Sequence, residues 1–226
     1  MWLDLVAAVV PMVLAAGATK ATEDNSFLAL GDSYTIGEGV AAAERWPAQL
    51  VGLLHAQGIV LDPPEIIART GWTTDELDAA MDAHSFKPPY ALVTLLIGVN
   101  NQYRGRDLEN YCVEFRRLLE RAIVLAGNRQ QRVIVVSIPD WGVTRFGRGS
   151  GRDVQHIARE IDAYNAANAQ IAKMLQVAYV DVTAASRDDG DRSGMLVADG
   201  LHPSAAAYRH WTESILPPAQ KALSSP

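Results

Sequence analysis

The sequence predicts a doubly wound α/β domain, with one five-stranded parallel sheet between layers of helices. Five short apolar runs, each followed by turn residues, mark the strands: residues 27–30, 65–68, 91–97, 132–138 and 177–182. Three of them are nearly continuous in Val, Ile and Leu, as expected of strands covered on both faces. Helical periodicity fills the intervals, so strand and helix alternate along the chain without an internal repeat or a linker.

The first segment stands outside this pattern. Residues 5–18 are apolar or glycine, interrupted only by Pro11, and fall short of the ~20 residues that span a bilayer. Ala16-Gly17-Ala18, followed by a polar stretch, has the small residues of a signal-peptide cleavage site. The start, Met1-Trp2-Leu3-Asp4, carries an acid and no basic residue. Two readings of residues 1–25 therefore stand side by side. A cleaved signal peptide would send the protein to the periplasm or outside the cell, and a retained apolar segment would leave it cytoplasmic. Residues 26–226 make up a single domain.

The helices follow in order. Thr73 and Glu76 have capping-box spacing and open a helix to about Ala83. Asp107 is placed as an N-cap, after which Leu108, Cys112, Phe115, Leu119, Ala122 and Ala126 recur at helical spacing until Gly127-Asn128. Cys112 lies on that stripe and reads as core, not as a nucleophile. Asp153 opens a further helix with Ile157, Ile161, Tyr164, Asn168, Ile171 and Leu175 on one side. Pro203 suits the first position of a last helix running to about Ile215.

Composition bounds the function. At 226 residues, 49% hydrophobic and 20% charged, the chain can bury a full core and is not disordered as a whole. Twenty basic against twenty-six acidic side chains leave a net charge of -6. No domain-wide basic field exists to hold a phosphate backbone, which argues against nucleic acid as a partner. One cysteine cannot form an internal disulfide or a Cys-rich zinc site.

Parallel α/β sheets bind ligands beyond the carboxyl ends of their strands. Four such ends carry chemistry here. The first strand ends in Gly31-Asp32-Ser33, the second runs into Arg69-Thr70-Gly71-Trp72, the third ends in Gly98-Val99-Asn100-Asn101, and Asp199-Gly200-Leu201-His202 lies before the final helix. Each is weak alone, because Asp, Ser and Gly are ordinary turn residues. In this order they resemble the blocks of the SGNH hydrolases, also called GDSL esterases and lipases. Gly31-Asp32-Ser33 is similar to the first block, Gly71 to the glycine of the second, Gly98-Val99-Asn100-Asn101 to the third and Asp199-Gly200-Leu201-His202 to the last. The resemblance runs from about Phe27 to Ile215, with one departure: Asn101 stands where the third block usually has Asp, which questions a supporting hydrogen bond.

The resemblance implies a flavodoxin-like three-layer α/β/α sandwich and a serine esterase acting on short-chain acyl esters. It implies Ser33 as nucleophile, His202 as base, Asp199 as the acid that orients the base, and Ser33, Gly71 and Asn100 as oxyanion donors. The residue chemistry agrees. A serine hydroxyl needs a base to become nucleophilic, and an imidazole accepts and returns a proton near neutral pH. Asp199, three residues before His202, is close enough to bond the other ring nitrogen. Glycine lets a backbone N–H approach a ligand, and an amide donates without titrating. No cofactor or metal is called for, and the partner is a small ester. The same site would also suit a carbohydrate O-acetyl esterase, a lysophospholipase or a thioesterase, and a non-catalytic binding module on this fold is a further alternative.

Weaker signals remain. Trp72, Tyr103, Trp141 and Phe146 fall on loops expected at the same rim, where they line a substrate pocket or simply pack. Residues 145–152, with three glycines among three arginines, read as a solvated surface loop, or as a flap over the site. Asp188, Asp189 and Asp191 fail calcium-loop spacing and read as turn acids.

Overall fold

The computed structural model describes residues 25–224, so the expectation for residues 1–25 falls almost wholly outside the described residues. Five strands form one parallel sheet: β1 (Phe27–Gly31), β2 (Glu65–Ala68), β3 (Leu92–Leu96), β4 (Val133–Val136) and β5 (Ala178–Val180), in the order β2-β1-β3-β4-β5. The strands of the apolar runs are those expected, and the central three are buried throughout. Both faces of β1, β3 and β4 are covered, which is why their sequences show no polar alternation. Edge strands β2 and β5 are less enclosed.

Nine α-helices complete the described fold: α1 (Ser33–Ile36), α2 (Trp46–His55), α3 (Thr74–Ala83), α4 (Val99–Tyr103), α5 (Leu108–Leu125), α6 (Arg145–Gly149), α7 (Val154–Met174), α8 (Thr183–Asp189) and α9 (Ala205–Ser224). The chain steps from β1 to β2 on one side and then returns past β1 to β3. Right-handed crossovers therefore put α2 on one face and α3, α5 and α7 on the other. Helix α9 packs on α2 and against β3, β4 and β5. The reversal of direction lies between β1 and β3, the switch point at which such sheets open a ligand crevice.

The caps confirm the sequence punctuation. Thr73 and Glu76 form the capping box of α3, Asp107 accepts from the Asn110 N–H at 2.8 Å, and Asp153 accepts from the Gln155 N–H at 2.9 Å. Three expectations are corrected. The last helix starts at Ala205 and not at Pro203, because Pro203 is taken up in a bridge to Leu196, and it continues through Pro217 and Pro218 to Ser224. Residues 145–152 are not a plain loop, since Arg145–Gly149 is a helical turn capped by Thr144, whose Oγ1 accepts from the Gly147 N–H at 3.0 Å. Asp188 and Asp189 end α8, and Asp189 is a buried partner of His210 at 3.0 Å and not a turn acid.

Candidate active site

The carboxyl ends of β1, β2 and β3 bring Ser33, Gly71 and Asn100 to one rim, and the turn before α9 brings Asp199 and His202. Asp32 caps α1, its Oδ1 accepting from the Tyr34 N–H at 3.0 Å, so that Ser33 is the first helical residue and is almost fully enclosed. Helix-start N–H groups have no partner within the helix. Among the described residues neither the Ser33 N–H nor the Gly71 N–H has an internal acceptor.

The Asp199 turn is held by one carboxylate. Its Oδ1 accepts from the Leu201 N–H at 2.8 Å and the His202 N–H at 3.0 Å, and its Oδ2 lies 2.7 Å from His202 Nδ1. Partial burial pushes the Asp199 carboxyl up, but the bonds from the His202 ring and from these two N–H groups outweigh it and hold the carboxyl below its usual range. The His202 ring is buried and lies on the Tyr34 ring, centroids 5.4 Å apart, which seats it beside the residue that follows Ser33. The last link is open: among the described residues neither Ser33 Oγ nor His202 Nε2 has a hydrogen-bond partner. Catalytic hydrogen bonds in empty sites are often long and close only around substrate.

On the other side Asn100, in α4, donates from Nδ2 to the Trp72 carbonyl at 2.9 Å, which ties the third strand end to the second. One amide hydrogen remains for a ligand. Gly71 has φ +88°, a left-handed conformation that disfavours any side chain. Gly98, at φ +127°, starts α4, and a Cβ there would collide with the Tyr111 hydroxyl, itself bonded to the Ile97 carbonyl at 3.1 Å. Asn101 answers the doubt over the third block. Its Oδ1 accepts from the Thr74 N–H at 3.1 Å and its Nδ2 donates to Thr74 Oγ1 at 2.6 Å, so the amide supports the start of α3.

Three of the four rim aromatics come together. Tyr103, Trp141 and Phe146 have ring centroids 5.3 to 6.4 Å apart, whereas Trp72 packs separately against the core. Trp141 is enclosed, 2% exposed, and donates from Nε1 to Gln102 Oε1 at 2.8 Å. Tyr103 and Phe146 remain open at 39% and 38%. Phe146 is tied to the histidine turn, its N–H donating to the Gly200 carbonyl at 3.0 Å, and Arg152 lies 4.5 Å over the Tyr103 ring. Beside Tyr103 runs a groove of about 580 Å³, bordered by Arg104, Arg152 and His156.

A model of the GDSL-like lipase/acylhydrolase family matches residues 29–210, a stretch that contains all four segments of this site. The chain belongs to that family. It is therefore a carboxylic ester hydrolase of the GDSL type. No curated protein matches the sequence. Solved structures similar to this GDSL hydrolase include TesA, at 22% identity and a TM-score of 0.69 over 88% of this chain and 99% of that one. The psychrotrophic esterase EstA from Pseudoalteromonas sp. has 18% identity and a TM-score of 0.64, covering 89% and 100%. Axe2, an acetylxylan esterase from Geobacillus stearothermophilus, has 22% identity and a TM-score of 0.64, covering 86% and 94%. At these identities they establish a shared fold. Among the described residues no helix is long and apolar enough to cross a membrane.

Arg104 lies outside the motifs, and Asp32 lies within the first block without a role assigned to it. Arg104 donates from Nη2 to the Gly71 carbonyl at 2.6 Å. Its signal was positional, four residues after Asn100 and thus on the same side of one helical turn. Asp32 is buried with Oδ2 unpartnered, and burial pushes its carboxyl up to about 7 against the opposing Tyr34 N–H.

Proposed function

We propose that this chain hydrolyses short-chain carboxylic esters through an acyl-enzyme on Ser33. The observation that carries the reading is the 2.7 Å contact between His202 Nδ1 and Asp199 Oδ2, with the ring lying on the neighbour of Ser33. With its proton on Nδ1, His202 offers the lone pair of Nε2 as the base. Ser33 Oγ attacks the ester carbonyl carbon and its proton passes to Nε2. The carbonyl oxygen takes up the electron pair and is met by the Ser33 and Gly71 N–H groups and the free Asn100 amide hydrogen. The intermediate collapses as Nε2 returns the proton to the leaving alkoxide. A water molecule repeats the sequence on the acyl-enzyme and frees the acid. Asp199 stays ionised throughout and stabilises the imidazolium.

EstA, one of the similar structures, is described as inhibited by monoethylphosphonate, and the same chemistry tests the proposal here. A fluorophosphonate probe is expected to label Ser33, and Ser33→Ala is expected to stay folded and to lose hydrolysis of p-nitrophenyl acetate by about 10⁶ in kcat. A folded Ser33→Ala protein with normal turnover would overturn the assignment, and absence of labelling would favour a binding module.

A second substrate reading has one observation behind it. Tyr103, which borders the groove, and its neighbour Phe146 are partly exposed aromatics of the kind that pack on sugar rings, and Axe2 is an acetylxylan esterase. Turnover of acetylated oligosaccharides well above that of p-nitrophenyl acetate would select it.

A further inference from the structure

The glycine that would serve the oxyanion is also the weakest point of the site. A residue without a Cβ can rotate its flanking peptides at little cost, so an N–H that must point one way needs an external hold. The structure supplies that hold from α4. Asn100 donates to the Trp72 carbonyl at 2.9 Å and Arg104 donates to the Gly71 carbonyl at 2.6 Å, so two consecutive carbonyls of the turn face the same short helix. The turn itself is closed by the Trp72 N–H on the Arg69 carbonyl at 3.2 Å. With the Gly71–Trp72 peptide pinned and Gly71 at φ +88°, the preceding peptide, which carries the Gly71 N–H, has one orientation left.

Arg104 is itself fixed. Glu76 Oε2 lies 3.4 Å from Arg104 Nη2, and the same oxygen accepts from the Thr73 N–H at 2.9 Å in the capping box of α3. The capping box therefore anchors the arginine that anchors the glycine. Arg104 is 41% exposed on its side chain, so the pair with Glu76 contributes little stability by itself, and its value lies in aim.

We propose that Arg104 is a positioning residue for the oxyanion site: through the Gly71 carbonyl it fixes the direction of the Gly71 N–H, and Glu76 holds it there. This rests on the assignment of Ser33, Gly71 and Asn100 proposed above. Full loss of an oxyanion donor costs ~10²–10³ in turnover, and a donor that is present but free to swing costs less.

The experiment compares wild-type protein with Arg104→Met, Arg104→Lys and Glu76→Gln, each checked for folding by circular dichroism. Arg104→Met is expected to lower kcat for p-nitrophenyl acetate about tenfold, leave KM within twofold and leave the shape of the pH profile unchanged. It is expected to weaken inhibition by phenylboronic acid, which forms a tetrahedral adduct on serine, by the same factor. Arg104→Lys restores part of both losses. Glu76→Gln keeps the cap but loosens the arginine, with a loss of about threefold. If Arg104→Met does not fold, Glu76→Gln and Arg104→Lys carry the same comparison. Folded variants with wild-type kcat and boronate inhibition would overturn the inference while fluorophosphonate labelling of Ser33 upheld the catalytic reading. A wild-type protein that neither labels nor turns over ester would overturn both.

Discussion

In the histidine half of the site, one carboxylate and four consecutive residues account for the geometry. Asp199 takes two backbone N–H groups with one oxygen and the His202 ring with the other. The proposed oxyanion half is built in the opposite way, from residues 33, 71 and 100 at the ends of three adjacent strands, joined by bonds between segments some thirty positions apart. A local turn needs only its own residues to form. A distributed arrangement depends on sheet register, on the start of α4 and on the cap of α3 together. The first half is therefore sensitive to substitution within itself, and the second to substitutions well outside it.

The largest effect that separates the halves is expected from Asp199→Asn. The amide oxygen can still accept the two N–H groups, so the turn persists, but an amide neither balances an imidazolium nor enforces the Nδ1–H tautomer. Loss of about 10⁴ in kcat follows, with the melting temperature moved by only a few degrees. Steady-state kinetics and thermal unfolding on one preparation check this. A loss below about tenfold would show that the 2.7 Å contact has no part in turnover.

Asn100→Ala comes next, at about 10²–10³ in kcat. It removes a donor from the proposed oxyanion site and also the tie to the Trp72 carbonyl, so it attacks the distributed half twice. The double variant Asp199→Asn, Asn100→Ala sharpens the contrast. If the halves act as one unit the combined loss is well short of the product of the single losses, as is usual for catalytic groups that work together. Losses that multiply in full would mean that each half acts on its own.

The same contrast governs what was legible beforehand. The strands could be read because β1, β3 and β4 are buried on both faces and so carry a single polar side chain, Thr94, and α3, α5 and α7 because their caps are local. Asp199 and His202 were legible as a pair because three residues separate them. The four segments could be placed at one rim from topology alone. What was not legible is side-chain pairing across elements. Nothing in residues 71 and 104 announces that a guanidinium holds a glycine carbonyl, and Trp141 looks the same in sequence as Phe146 although one is enclosed and the other open. The helical turn at Arg145–Gly149 was missed because its glycines suppress local propensity, and Gly147 is there for closeness: a Cβ would collide with the backbone of Trp141 and Gly142.

The smallest expected effect concerns the two aspartates that flank the site. Asp199 is partly open, has three donors and stays below its usual range, while Asp32 is wholly buried, receives the Tyr34 N–H on one oxygen and has no partner on the other. Burial raises the Asp32 carboxyl to about 7. In the unfolded chain it ionises near its ordinary acidic value. Between those two values the folded protein retains a proton that the unfolded chain has lost, so stability falls as pH rises through that window and levels off above about 7. A full shift of about three units corresponds to about 4 kcal/mol, and relaxation of the fold around the charge brings the expected change to about 2 kcal/mol. Asp32→Asn keeps the acceptor for the Tyr34 N–H and removes the titration. Urea unfolding of both proteins should therefore show the difference moving in favour of the variant from pH 4 to pH 8, while its kcat stays within a few-fold of wild type because α1 remains capped at the Tyr34 N–H. A difference that does not change with pH would mean that Asp32 is ionised throughout, and that the charge beside Ser33 is met by something other than the N–H of Tyr34.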